Sequence, residues 1–326
     1  MSKSDDLRKR LEALNRGPLK PPDGVEDEEV RRRLRKGLRK RAAVPRDGED
    51  EAHRTAEKPP PRPIVFHRDL PSREGPARPA LSSAGPHVPL EEAVAGAEKV
   101  GPDGGQVYLV ERPVGEELGG QPPLCQALAD AVRCSGSGLW EQARWLADPD
   151  EVGVEDLLFL DLETTGLGSS PLFLVGTMVW DAGGLVVRQY FARDYSEERA
   201  AVACFLRLAE GRKLLVSFNG KSFDLPFVRM RAAANGLVCG IDPAHLDLLH
   251  VARRCWGGRV PDCRLQTLER LLCGRTRTDD IPGHLIPDAY HEYVRTGNAV
   301  RMANVLEHNF LDLLTLADLL VRLPGR

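Results

Sequence analysis

Residues 157–166 read LLFLDLETTG. The run is apolar up to its acidic end and short, as a buried strand requires. In a strand, residues two apart point to the same face, so Asp161 and Glu163 look one way. Adjacent carboxylates repel, and burying them without partners is expensive. A hard divalent cation such as Mg²⁺ or Mn²⁺ resolves the conflict, because it prefers carboxylate oxygens. A solvated strand end with two free acids is the alternative that this stretch alone leaves open.

Working outward, LFLVGTMVW (172–180) and LVVRQYFA (185–192) read as two more strands, joined by the turn DAGG at 181–184. A helix fits 197–208, a buried strand 213–218, a helix 223–235 and a short strand HLDLLH at 245–250. Helical stretches follow at 265–272, 288–295 and 299–323. Sequential strands followed by alternating helices and strands predict a mixed α/β sheet with helices on its faces. Upstream, residues 91–152 read as a lead-in, with a short strand at 107–110 and helix over 124–147, interrupted at SGSG (135–138).

Residues 1–90 hold 13 of the 25 prolines and predict a largely disordered leader. Short helices are expected near Leu7–Leu14 and over 26–43. The second contains RRRLRKGLRKR (31–41), which suits a nucleic-acid or protein partner or a solvated face. The leader carries 21 Lys and Arg against 15 Asp and Glu, and residues 91–326 carry 24 against 33. An acidic body argues against non-specific nucleic-acid binding through bulk charge, but not against a local site. The organisation predicted is leader 1–90, lead-in 91–152 and main α/β domain 153–326.

No apolar run reaches the 18 residues of a membrane span, and no apolar segment follows the basic N-terminus as in a secretory signal. A cytoplasmic protein without membrane contact is expected. The seven cysteines include no C-x-x-C pair, so neither a disulfide framework nor a zinc knuckle is indicated.

Two further constellations carry chemistry. SFNGKSFDLPF (217–227) places Asp224 at a helix start directly after a strand. Its GKS is no phosphate-binding loop, since that motif requires glycine where Leu215 stands. Asp224 as a plain helix cap is the other reading. EHNFLD (307–312) lies in the last helix, where His308 and Asp312 are four apart and share a face. A surface pair is the alternative there.

Taken in order, D-x-E on a strand, Asp224 after a strand and H-x-x-x-D on a late helix resemble the DEDD superfamily of 3′→5′ exonucleases. The blocks DLETTG, SFNGKSFDLPF, HLDLLHVARR, CRLQTLE, DDIPGHLIPDAY and EHNFLDLLTL are similar to the YprB-type ribonuclease H-like family over about residues 150–323. The resemblance implies a ribonuclease H-like fold, here a mixed five-stranded sheet flanked by helices. It implies that Asp161, Glu163, Asp224 and Asp312 hold two Mg²⁺ or Mn²⁺ ions, and that His308 takes a proton from the attacking water. Histidine four residues before the last aspartate departs from the commoner patterns, which have tyrosine there or histidine five before. Thr164, Asn219, Lys221, Arg253, Arg254 and Asn309 are the candidate substrate contacts. Arg264, Arg275 and Arg277 are further basic residues for phosphates, and Asp247, Asp279 and Asp280 are lesser acidic candidates. The function implied is a metal-dependent 3′→5′ exonuclease on nucleic acid, DNA rather than RNA, in a repair setting with a helicase partner. A ribonuclease for structured RNA and a non-catalytic nucleic-acid-binding module of the same fold are the alternatives.

Overall fold

The computed structural model describes residues 87–115, 124–134, 136–143, 152–166 and 168–325. The first 86 residues of the leader, with its two expected helices and its basic run, lie outside the described residues, whereas residues 87–90, expected in the disordered leader, pack on the body, with Leu90 buried. Seven strands form one sheet: β1 (Ala97–Val100), β2 (Gln106–Pro113), β3 (Leu157–Thr164), β4 (Leu172–Asp181), β5 (Gly184–Phe191), β6 (Leu214–Ser217) and β7 (Ala244–Asp247). Their spatial order is β1-β2-β5-β4-β3-β6-β7. The pairings of β3 with β6 and β6 with β7 are parallel and the others antiparallel.

Seven strands correct the expected five. The lead-in supplies the extra two, with β2 paired to β5 from Tyr108↔Phe191 to Pro113↔Val186. Without β2, the edge of β5 would present a row of unpaired backbone groups beside buried Val187 and Phe191. The turn between β4 and β5 is tight because Ala182 and Gly183 both take left-handed backbone, at φ 48° and 86°. Two successive such residues match the twist of a two-residue hairpin.

Besides a single helical turn at Leu90–Ala93, the α-helices are α1 (Leu124–Arg133), α2 (Gly138–Gln142), α3 (Glu198–Ala209), α4 (Asp224–Ala234), α5 (Leu248–Cys255), α6 (Leu265–Leu268), α7 (Ile286–Thr296) and α8 (Val300–Val321). A π-helical turn, Glu269–Cys273, continues α6. Alternate residues of β3 serve opposite cores. Leu157 and Phe159 pack with α1, α2, α5 and α8, whereas Leu158, Leu160 and Leu162 pack with α3 and α4. This double burial explains the unbroken apolar run. A third cluster joins Phe173, Phe191 and Tyr290 between the sheet and α7, with the Phe173 and Tyr290 rings stacked at 4.0 Å.

HLDLLH is corrected from one strand to a strand end and a helix start. Asp247 closes β7, and its side chain accepts from Leu249 N at 3.0 Å, capping α5. Among the described residues no helix is long and apolar enough to cross a membrane.

Candidate active site

The site lies where β3 ends. Phe159, Asp161 and Glu163 share one face of β3, and this is the face that α8 covers. The register shifts between Glu163 and Thr164, so regular pairing stops just past the acidic pair. Asp224 arrives as the first residue of α4, with Pro226 in the first turn, where its missing N–H removes no helical bond. Helix α8 contributes His308, Asn309 and Asp312. Residues far apart in sequence thus converge at one end of the sheet.

Electrostatics records the convergence. Burial holds Asp161 well above the usual carboxylate range, and the charges of Asp312, Glu163 and Asp224 add to the effect, against a hydrogen bond from Asn309. Glu163 is pushed up to about 8 by burial and by Asp312, Asp224 and Asp280, opposed by His308. Asp224, 5% exposed, is pushed up to about 7 by burial. Asp247 and Asp312 raise it further, while backbone N–H groups of Asp224 and Leu162 oppose the shift. Three of the four acids are thus raised, and the charge of Asp312 acts on each of them.

Asp312 has cationic neighbours. One oxygen meets Arg277 Nη2, and the other lies 3.5 Å from His308 Nε2. Arg277, its side chain only 5% exposed, also binds Glu269 at 2.7 Å and lies 3.4 Å from Asp280. His308 Nδ1 is 2.7 Å from Asp280 Oδ1. Burial pulls the imidazole down, but that bond and the charges of Asp312, Glu163 and Asp280 outweigh it and push His308 up to about 9.

Around Asp224 the loop is pinned from below. Asp247, 2% exposed, accepts from Asn219 N at 2.8 Å and Lys221 N at 3.1 Å. Asn219 takes left-handed backbone at φ 66°, a conformation that asparagine tolerates better than most residues. Ser217 Oγ and His245 Nε2 form a buried pair at 2.7 Å beneath.

The structure sorts the remaining candidates. Thr164 is half-buried, and its hydroxyl donates to Gly166 O at 2.8 Å. Asn219 and Lys221 are exposed on the pinned loop. Arg253 and Arg254 are exposed on α5, where Arg254 engages Gln142 Oε1 at 2.8 Å. Asn309 is fully buried and turned to Asp161. Arg275 is engaged internally with Glu269, Thr315 and Asp318, as Arg277 is with Glu269 and Asp312. Of the acidic pair, Asp280 meets His308 while Asp279 is exposed. Glu269 and Gln189 escaped sequence reasoning. For Gln189 a signal existed: it is a polar residue between Val187 and Phe191 on an inward strand face.

The donor set suits a hard cation. Three carboxylates raised by burial and mutual repulsion gain most from a positive charge, and all offer oxygen. Among the described residues no group of three His, Cys, Asp or Glu side chains already encloses an ion position.

Comparisons with known proteins give the family. The family model of the RNase_H superfamily matches residues 158–324, half of the chain. The uncharacterized protein YprB of Bacillus subtilis (strain 168) is 33% identical over 176 residues, which cover 52% of this chain. The chain spans only 42% of that relative's length. Among solved structures, the family B DNA polymerase of the archaeon Pyrobaculum calidifontis aligns at 17% identity and TM-score 0.42, covering 51% of this chain and 24% of the polymerase. The zinc-bound E. coli ExoI–ssDNA complex aligns at 17% identity and TM-score 0.29, covering 48% of this chain and 42% of ExoI. From the family match, the chain belongs to the ribonuclease H superfamily, with YprB among the proteins it is similar to.

Proposed function

We propose that this chain is a divalent-cation-dependent nuclease that hydrolyses nucleic acid from the 3′ end, DNA in preference to RNA. The observation that carries the reading is the convergence of Asp161, Glu163, Asp224 and Asp312, each electrostatically coupled to others of the set. A structural role does not require four mutually repelling acids in one place, and their repulsion disfavours the fold. These four residues would hold two Mg²⁺ or Mn²⁺ ions. When bound, such ions supply an activated water and charge stabilisation for the leaving oxygen.

His308 is assigned to proton transfer at Nε2, since Asp280 fixes the ring through Nδ1. Lys221 and Asn219, exposed on the pinned loop beside Asp224, are assigned to the phosphate backbone. Thr164 stands at the strand end next to the acids, and Arg253 and Arg254 are assigned to more distant phosphates. A DNA-repair setting with a helicase partner belongs to the same proposal, carried by the resemblance alone.

The test is purified protein with Mg²⁺ or Mn²⁺ on end-labelled single- and double-stranded DNA and RNA. Shortening of DNA from the 3′ end, lost in a folded Asp161→Ala variant, is the expected result. Shortening of RNA alone would favour the ribonuclease, and binding without cleavage the non-catalytic module.

A further inference from the structure

Three strands place Asp161, Gly176 and Gln189 side by side. Asp161 pairs with Gly176 across β3 and β4, and Gly176 with Gln189 across β4 and β5. Laterally paired residues share a face, and α8 lies over this one. Asn309 of α8 sits directly above Gly176. A methyl group at Gly176 would stand 2.0 Å from Asn309 Oδ1 and 2.5 Å from Nδ2, well inside any allowed contact. The absent side chain is therefore the slot that admits the amide. Gly176 has ordinary strand backbone and does not need glycine for its own conformation.

The hydrogen bonds in the slot have a fixed sense. Gln189 Nε2 donates to Leu306 O at 2.7 Å and to Asn309 Oδ1 at 2.8 Å. With its oxygen so engaged, Asn309 must turn Nδ2 to Asp161, and it donates to Oδ2 at 2.7 Å and to the backbone oxygen at 3.2 Å. Reversing the Gln189 amide would set its oxygen against two acceptors. Both Asn309 and Gln189 have no exposed surface.

We propose that Gly176, Gln189 and Asn309 form a positioning relay for Asp161. The relay fixes one carboxylate oxygen against the protein and leaves the other for the cation. Asn309 is on this account a positioning residue, not a substrate contact. The proposal rests on the cation-dependent nuclease reading, because it assigns Asp161 as the ligand being oriented.

Outer partners of metal ligands typically contribute roughly 10–100-fold in affinity or activity. Asn309→Ala should therefore weaken Mn²⁺ binding, followed by calorimetry, by about that factor. It should lower kcat with KM for DNA unchanged, since the amide touches no substrate. Gly176→Ala should reproduce the defect by blocking the slot, and the double variant should be no worse than Asn309→Ala alone. Gln189→Met, which keeps the chain volume, covers the case in which Gly176→Ala does not fold, and should show the same defect in weaker form. Wild-type Mn²⁺ affinity and kcat in folded Asn309→Ala and Gln189→Met would overturn the relay, as would a rise in KM alone. If wild-type protein itself binds no Mn²⁺ and cleaves nothing, the nuclease reading falls and the relay with it.

Discussion

At the scale of single residues, His308 has its role set by its neighbours. Pushed up to about 9 by Asp280, Asp312 and Glu163 against the pull of burial, it is a cation at neutral pH before any divalent ion binds. His308→Ala should lower the nuclease rate on the order of 10²–10⁴-fold. Asp280→Asn removes a hydrogen-bonded negative charge, so the His308 pKa falls and the acidic limb of the pH–rate profile moves to lower pH. An unmoved limb in that variant assigns the titration to another group. A second prediction concerns the acids. Glu163 near 8 and Asp224 near 7 bind protons more tightly in the folded chain than in the unfolded one, whose carboxylates titrate near 4. Their contribution to stability is complete below the unfolded value and is lost as pH rises through 7 and 8. His308 acts in the same direction, losing its contribution as pH rises from about 6.5 through 9. With chelator present, the melting midpoint should fall between about pH 5 and 9, and Asp224→Asn should flatten the part below pH 7. A midpoint that climbs over this interval would contradict the mutual repulsion. Such effects were half visible in the sequence. The D-x-E spacing puts two acids on one face, but the burial that raises their pKa values comes from α8, some 150 residues away.

At the scale of elements, Asp247 ends one strand, starts one helix and anchors one loop. Asp247→Ala removes the cap of α5, which costs about 1–2 kcal/mol. It also frees the amides of Asn219 and Lys221, whose hydrogen exchange should accelerate more than that of β3. Exchange that speeds only in α5 would show that the loop holds itself. The strand reading of HLDLLH missed this change of direction, because local propensity does not say where the Asp247 carboxylate finds its donors. Most other elements were legible: the apolar runs of β3, β4 and β6 and the amphipathic stretch of α8 follow from period and length. The pairing of β1 was not, since AEKV is exposed along its whole length and shows no alternation. Nor was the buried pair of Arg277 and Glu269. Both residues read as surface charges until the chain around them closes.

At the scale of the molecule, the last residues of the leader and the lead-in are bound into the body at several points. Ala299 N donates to Val88 O at 2.8 Å, Leu90 is buried against the α7–α8 cluster, and the Arg112 guanidinium lies over the Phe310 ring at 3.5 Å. Of two chains, one starting at residue 87 and one at residue 95, the second should melt lower because it lacks the Val88 and Leu90 contacts. Equal midpoints would mean that those contacts contribute nothing. The gathering of the site from distant segments also has a kinetic side. Strands β3, β4 and β5 form a meander of local contacts, which closes early on topological grounds. Asp161 and Glu163 meet Asp224 and Asp312 only when α4 and α8 dock on that meander. On that order of docking, the repulsion among them is expected to arise after the transition state. A divalent cation that cancels it should slow escape from the native state and leave the rate of reaching it almost unchanged. The ion would then act as a latch on a finished structure, with no part in guiding the chain toward it.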